Sequence, residues 1–478
     1  MTRPTTTGKA QDLITFTRST TGTALAKISY GEELVTNGDF SSDSNWNKNP
    51  NWTISNGAAI SDGSTSQNIN QGTVTSVVNK PYLLSVTLSS LSQGSVTVTF
   101  GGAASLNASS TGTHSLLVIP SSSDRIRIYA SDYAIASIDN VSIKEVLYDQ
   151  PDGTLQLFNH PINKPRIEYD AEGNCLGLLV EEARSNKVLY SEDFTHSSWL
   201  KSEVTVAPAP VAAPDGTMTA THVVKTGSNA HLVTTSIGST ADRSSIWART
   251  VSGTGTMYLG GTAASTLVTV TEEWQKLDAQ AANIHMYAAN FRGLATLTEV
   301  YVWGAQLETG SFPTSYIPTS GSAVTRSADV ASLAVSEFGY NQDQGSVVVK
   351  CSGGEVNGAA AAFNDGSAFN SIMTFWVVAA SALRLRVYTG NAQYVSIQLP
   401  FTEGEIEFAA GLKENNFAAS SNGVLGTDTD GLMPLTATTT LNIGAEIAGA
   451  SRIYNGHIKS VQYYPLRLSN AQLQALTS

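Results

Sequence analysis

The stretch Lys164–Trp199 reads K-P-R-I-E-Y-D-A-E-G-N-C-L-G-L-L-V-E-E-A-R-S-N-K-V-L-Y-S-E-D-F-T-H-S-S-W, and the reading of the fold turns on it. It starts as an extended run, Arg166-Ile167-Glu168-Tyr169, and returns through Leu176, Leu178, Leu179 and Val180. Between the two runs lies Asp170–Asn174, where Gly173-Asn174 supplies residues that tolerate positive φ. A hairpin is expected here. The stretch then passes into Leu189-Tyr190-Ser191-Glu192-Asp193-Phe194, which opens a second block of short alternating runs.

Outward from this hairpin, the same alternation fills the chain. Tyr82–Leu88, Ser95–Phe100, Ser115–Ile119 and Arg125–Tyr129 alternate apolar with polar residues, and Gly, Asn and Ser stand between them. Period-two patterning broken by turn residues reads as antiparallel β, and many short strands imply sandwiches. Leu34–Phe40 leading to Trp46 matches Leu189–Phe194 leading to Trp199, and Ile138–Ile143 matches Leu297–Trp303. The chain thus carries two copies of one design. A third β block follows, with strands expected near Gly345–Cys351, Met373–Val378, Leu383–Tyr388, Tyr394–Leu399, Glu405–Gly411, Asn416–Ser420, Thr440–Ile443 and His457–Tyr464. One helix is expected, at the end of the sequence. Ser469 is a good N-cap with Gln472 three residues on, Leu468 can staple against Leu473, and Leu473 and Leu476 would dock it.

The totals agree with this. A length of 478 residues suits about three domains. Charged residues make up 14% of the chain, against about 25% in ordinary globular domains. With 41% apolar residues the chain does not have a disordered composition. A net charge of −12 with no basic stripe argues against nucleic acid as a partner. Cys175 and Cys351 make neither a disulfide framework nor a zinc set. The first residues, M-T-R-P-T-T-T-G-K-A, lack an apolar core of the secretory type, and no run reaches membrane-spanning length. The expectation is a soluble chain assembled in a cytoplasm, with no membrane insertion.

Several segments resemble the modular structural proteins of tailed bacteriophages. Phe16-Thr17-Arg18-Ser19-Thr20, Pro165–Asp170 and Gly177–Asn186 look like their N-terminal signature. Trp303-Gly304-Ala305-Gln306-Leu307-Glu308, Phe312–Pro318 and Val324–Asp329 are similar to the junction before their last domain. Asn455–Ile458, Tyr464–Ser469 and Leu473 look like the end of a laminin-G/concanavalin-like sandwich in phage fibres. Residues 33–147 are similar to a different module, the carbohydrate-binding jelly roll attached to bacterial xylanases, through Leu34–Phe40 and Ile138–Val141. It separates Phe16–Thr20 from Arg166–Asp170 and reads as an inserted domain, which surface loops tolerate. The resemblance implies an all-β chain of three tandem β-sandwich domains, jelly-roll and concanavalin-like, with a short C-terminal helix. The expected boundaries are a docking arm at 1–32, a jelly roll at 33–147, a connecting hairpin at 148–184, a second jelly roll at 185–320 and a concanavalin-like sandwich at 321–478.

None of the seven His falls in a metal-binding spacing, and there is no nucleophile elbow or phosphate loop. Glu181-Glu182 is the tightest carboxylate pair, but strand neighbours point to opposite faces and cannot flank one glycosidic bond. Glu181 or Glu182 is expected to pair with Arg166 or Arg184 at the surface, where such a pair contributes little. In the xylanase-type modules a structural calcium often sits where the first and last strands meet. The resemblance therefore makes Asp39, Asp139 and Asn140 candidate calcium ligands, with caps and turns as the alternative. Trp52, Tyr129 and Tyr133 are candidate carbohydrate-stacking residues, because flat aromatic faces beside amides are how sandwiches hold glycans. Trp46 and Trp199 are expected to be core plugs. No catalytic residue is expected, and no cofactor beyond that calcium.

These readings point to a non-enzymatic virion component: a tail fibre, head spike or decoration protein. It would contact other virion proteins through its N-terminal part and assemble as a homotrimer, as is common in the family. A dedicated glycan-binding adhesin is the alternative. A polysaccharide depolymerase is less favoured, for want of paired acids or a short periodic repeat.

Overall fold

The computed structural model describes residues 14–102, 105–228, 230–234, 238–260, 265–281, 284–287, 295–354, 358–367, 370–379, 382–390, 392–400, 404–428, 430–434, 436–447 and 452–478. The described residues are nearly all β, with antiparallel sheets and one short α-helix among them, Asn470–Ala475. The chain divides into two compact units. One combines the described residues up to Leu25 with Ile162–Arg184 and Thr325–Ser478; the other combines Ala26–Pro161 with Ser185–Val324.

The first unit is a sandwich of two seven-stranded sheets. Thr15–Thr17 is the edge strand of one sheet, and it pairs antiparallel with Val330–Ala334 through Phe16↔Ala331. The expected hairpin forms, with Ile167↔Leu178 and Glu168↔Gly177 in register. Its turn closes through Asp170, whose Oδ1 accepts from Asn174 N at 2.7 Å, and Gly173 sits there at φ +82°. Cys175–Val180 then pairs with Gly456–Tyr464 in the second sheet. Residues 15–17 and 167–180 are therefore strands of the C-terminal sandwich. The separate arm and connecting hairpin expected from sequence are corrected on this point, and residues 1–13 of that arm lie outside the described residues. The physical reason is edge pairing: one sheet of residues 325–478 gains one outer strand from earlier in the chain and the other gains the two strands of the hairpin. Phe16, Leu178 and Val180 accordingly join Val347, Phe363, Phe408 and Leu441 in one core.

The helix closes this unit as expected. Gln472 N donates to Ser469 Oγ and Ser469 N to Gln472 Oε1, at 3.3 and 2.9 Å. Leu473 is fully buried among Val348, Ala409, Ala418 and Leu468, and Leu476 packs partly buried against them.

The second unit contains the two repeats. In the first, the strands Tyr82–Thr99 and Arg125–Leu147 are long enough to run through the whole block; the latter pairs in turn with four other strands. Pro151-Asp152-Gly153 forms a turn closed by Gly153 N donating to Gln150 O at 2.9 Å, and Gly is required because a Cβ at 153 would lie 2.7 Å from Ile28 O. The second repeat is two five-stranded sheets whose core includes Phe194, Trp199, Val223, Ile246, Val300 and Val302.

The repeat is visible in the hydrogen bonds of its tryptophans. Trp46 Nε1 donates to Asn37 O and Trp199 Nε1 to Tyr190 O, each at 2.9 Å and each to a carbonyl nine residues earlier. Phe40 lies tilted against Trp46 at 5.3 Å, and Phe194 against Trp199 at 4.6 Å. Both tryptophans are core plugs that tie the opening loop to the sandwich. Trp46→Phe and Trp199→Phe should each remove about 1–3 kcal/mol by losing the indole bond and leaving a small void. Urea titrations followed by intrinsic fluorescence would measure it, and equal losses in both are expected.

Candidate functional site

The residues singled out for carbohydrate scatter rather than converge. Trp52 is 3% exposed, packs in the core of the first repeat, and donates from Nε1 to Gln67 O at 3.1 Å. It presents no face to a ligand, which corrects that assignment: on its strand Trp52 and Ile54 point inward, the parity sequence alone left open. Tyr129 is half-buried. Tyr133 is 57% exposed and stands on a bulge of Arg125–Leu147, where Asp132 and Tyr133 both have positive φ, +54° and +56°. Two successive non-glycine residues in that region are strained. The bulge is fixed from both sides, since Tyr133 N donates to Ser66 Oγ at 3.1 Å and Gln93 Nε2 donates to Tyr133 O at 3.2 Å. An aromatic ring is thus held outward beside an amide.

The candidate calcium ligands sit where the opening and closing segments of the first repeat meet. Leu34 N donates to Ile143 O and Val141 N to Gly38 O, at 3.0 and 2.8 Å. Two of the side chains make local turn bonds: Asp39 Oδ1 accepts from Ser41 N at 3.2 Å and Asp139 Oδ1 from Asn140 N at 2.8 Å. Asn140 takes φ +33° at the bulge between Asp139 and Val141. Among the described residues no group of three or more His, Cys, Asp or Glu is placed to hold a metal.

What sequence reasoning missed is a buried charge cluster in the first unit. Asp329 Oδ1 meets Arg18 Nη1 at 3.0 Å, and its Oδ2 pairs with Arg166 Nη2 and accepts from Glu181 N at 3.0 Å. Arg166 Nη1 reaches Glu181 Oε2 at 2.9 Å, and Arg326 Nη2 reaches the same oxygen at 3.3 Å. The guanidiniums also donate to backbone: Arg18 Nε to Thr20 O, Arg166 Nη1 to Thr23 O and Arg326 Nη2 to Glu182 O, each at 2.9 Å. All five side chains are buried. Burial works against the charge on Arg166, but Asp329 and Glu181 outweigh it and its pKa is raised. Burial and the neighbouring Arg166 hold Arg18 lower, at about 10. Glu181 does pair with Arg166 as expected, though inside the protein rather than at its surface, and Arg184 pairs with Glu182. The elements that bring them together are the edge strand near Phe16, the hairpin and the segment before Val330.

A second feature is a pair of carboxylates in the second repeat. Glu192 Oε1 accepts from Tyr316 Oη at 2.9 Å, and Tyr316 Oη lies 2.6 Å from Ser191 Oγ. Asp215 Oδ1 accepts from Thr217 N and Oγ1, at 3.0 and 2.7 Å. Thr217 Oγ1 lies 2.7 Å from Thr219 Oγ1, which accepts from Trp303 Nε1 at 2.9 Å. Burial, then the charge on Asp215, push the Glu192 carboxyl up to about 7, against the hydrogen bonds it accepts. Burial likewise raises Asp215. The sequence signal is the turn Pro214-Asp215-Gly216, and the two acids stand 23 positions apart.

The junction Trp303–Glu308 also finds a physical role. Buried Glu308 accepts from Gln306 Nε2, Thr314 N and Thr314 Oγ1 at 2.9, 2.7 and 2.6 Å, and Gln306 Oε1 accepts from Ile317 N at 2.7 Å. The connector Phe312–Pro318 is thereby stitched to its own sandwich rather than free.

No family model matches this sequence, and no curated protein does. Among solved structures, domain 4 of AbnA, a GH43 extracellular arabinanase from Geobacillus stearothermophilus in complex with arabinotriose, is similar at 12% identity and TM-score 0.25, covering 36% of this chain and 84% of that one. The N-terminal CBM22-1-CBM22-2 tandem domain of Paenibacillus barcinonensis Xyn10C is similar at 12% identity and TM-score 0.19, covering 59% of this chain and 98% of that one. Superposition at these scores is too loose to transfer a ligand or an activity.

Asp329→Asn should cost the first unit about 3–5 kcal/mol, because it leaves buried guanidiniums uncompensated. Glu182→Gln, at a half-exposed pair, should cost about 1 kcal/mol or less. Denaturant titration of the full chain would distinguish the two.

Proposed function

We propose that this chain is a non-enzymatic structural component of a tailed-bacteriophage particle, a tail fibre, head spike or decoration protein, whose sandwiches contact host-surface glycans. One observation carries the reading. The segments that resemble the appendage signature deliver Arg18, Arg166, Glu181, Arg326 and Asp329 to a single buried cluster. Three stretches separated by more than a hundred residues thus form one domain, as a modular signature interrupted by insertions requires. On this reading residues 26–161 and 185–324 are insertions carried by that domain, the N-terminal part meets other virion proteins, and the assembly is a homotrimer. A calcium at Asp39, Asp139 and Asn140 belongs to the same proposal.

Antibodies raised against the protein should decorate intact virions in negative-stain micrographs. Failure to label them, with the antigen present in infected-cell lysate, would refute the virion assignment.

The adhesin reading gains support from Tyr133, an exposed ring fixed beside Gln93 at some backbone cost. Tyr133→Ala should weaken binding to host-surface polysaccharide by about tenfold, close to 1.4 kcal/mol, with the fold intact. Tyr133→Gly should lose binding equally while raising stability, because glycine relieves the positive φ. Isothermal calorimetry and thermal melts on both variants would check the pair.

A further inference from the structure

The Glu192–Asp215 pair sits under two covers made by its own chain. Along Glu299–Thr309, Val300 and Val302 enter the sandwich core while Tyr301 and Trp303 face the other way. Those two aromatics are nevertheless 7% and 1% exposed. They are covered by the loop between Val204–Pro208 and Thr221–Lys225, through Ala209, Ala213 and Ala220, and by Tyr316 of the connector. Trp303 and Tyr316 rings lie 4.6 Å apart. The loop is held at its middle by Trp274 Nε1 donating to Ala212 O at 2.9 Å and by Leu157 N donating to Pro214 O at 3.0 Å. Each cover ends on one member of the acid pair. Tyr316 donates to Glu192, and the loop carries Asp215.

Neither acid has a cationic partner among the described residues. The charged and titratable groups facing the assembly are few. From the sheet come Arg249, cross-strand from Tyr301; His222, 2.8 Å from Glu299; and Lys276, bonded to Thr314 O of the connector. From the first repeat comes Tyr30, whose Oη lies 3.4 Å from the Gln156 side chain that also binds Asp215 O. The connector contributes Tyr316 itself. Two neighbouring carboxyls, each half-buried and without a counter-ion, are costly to charge together.

We propose that Glu192 and Asp215 form a proton-operated latch: while the pair retains one proton, Tyr316 and residues 209–217 stay seated on Trp303 and Tyr301, and loss of that proton loosens both covers and uncovers the aromatic face. The sign follows from the closed state holding the proton more tightly than the open one. Closure is complete below the ordinary carboxylate range, weakens as pH rises toward about 7, and changes no further above it.

The test is hydrogen exchange of the full chain between pH 4.5 and 8, read as protection factors for amides 209–217 corrected for intrinsic rates. Protection in the wild type should fall on the order of tenfold per pH unit up to neutrality and then level off. Glu192→Gln should stay protected at pH 8 and show a flat profile. Asp215→Asn should do the same, and it serves if Glu192→Gln fails to fold. A flat profile in the wild type, or an unchanged slope in both variants, would overturn the latch. So would full protection at pH 8 on adding millimolar calcium to the wild type but not the variants, because the pair would then be a cation site.

Discussion

Asp329 is the fixed point of the first unit. Its carboxylate takes Arg18 from the edge strand, Arg166 from the hairpin and the amide of Glu181, while its own amide donates to Glu181 O at 2.9 Å. Burying three guanidiniums against two carboxylates is costly unless every partner is present, and each charge here is held by at least one opposite charge or backbone carbonyl. Such a cluster contributes less to net stability than apolar packing of equal volume would. Its stronger effect is selective: a mis-registered strand would leave a charge uncompensated in the core, so only one arrangement of the three distant segments is tolerated.

That constraint explains how one sandwich survives long interruptions. The loop-closure cost of bringing Arg18 to Arg166, or Glu181 to Asp329, grows only with the logarithm of the intervening length. Folded inserts reduce it further by holding their own ends. The same logic recurs on a smaller scale in the second repeat, where Glu308 and Gln306 gather the backbone of the connector into the domain it leaves.

The two repeats show how one local solution is reused. An opening loop turns back so that a tryptophan indole reaches a carbonyl nine residues earlier, and a phenylalanine packs against its ring. The tryptophan-to-carbonyl spacing is identical, whereas the phenylalanine stands six residues before the tryptophan in the first repeat and five in the second. The first repeat closes with a bulged 23-residue strand and the second with an 11-residue one. The second repeat also carries a half-buried acid pair at Glu192 and Asp215 that the first repeat does not share.

Much of this fold is legible in the sequence. Alternation made the chain all-β, the Asp170–Asn174 turn and the Ser469 cap were readable because both act within a few residues, and the matched Leu34–Trp46 and Leu189–Trp199 runs exposed the repeat. Parity is harder: alternation allows Trp52 on either face, and its strand turns it inward. What sequence could not give was partnership across distance. Arg18, Arg166, Glu181, Arg326 and Asp329 read as ordinary scattered charges, and Glu192 and Asp215 as a polar residue and a turn former. Side-chain periodicity and capping are properties of neighbouring residues, so one dimension determines them. Burial of a charge, and the identity of what compensates it, depend on which segments meet, and only the tertiary structure decides that.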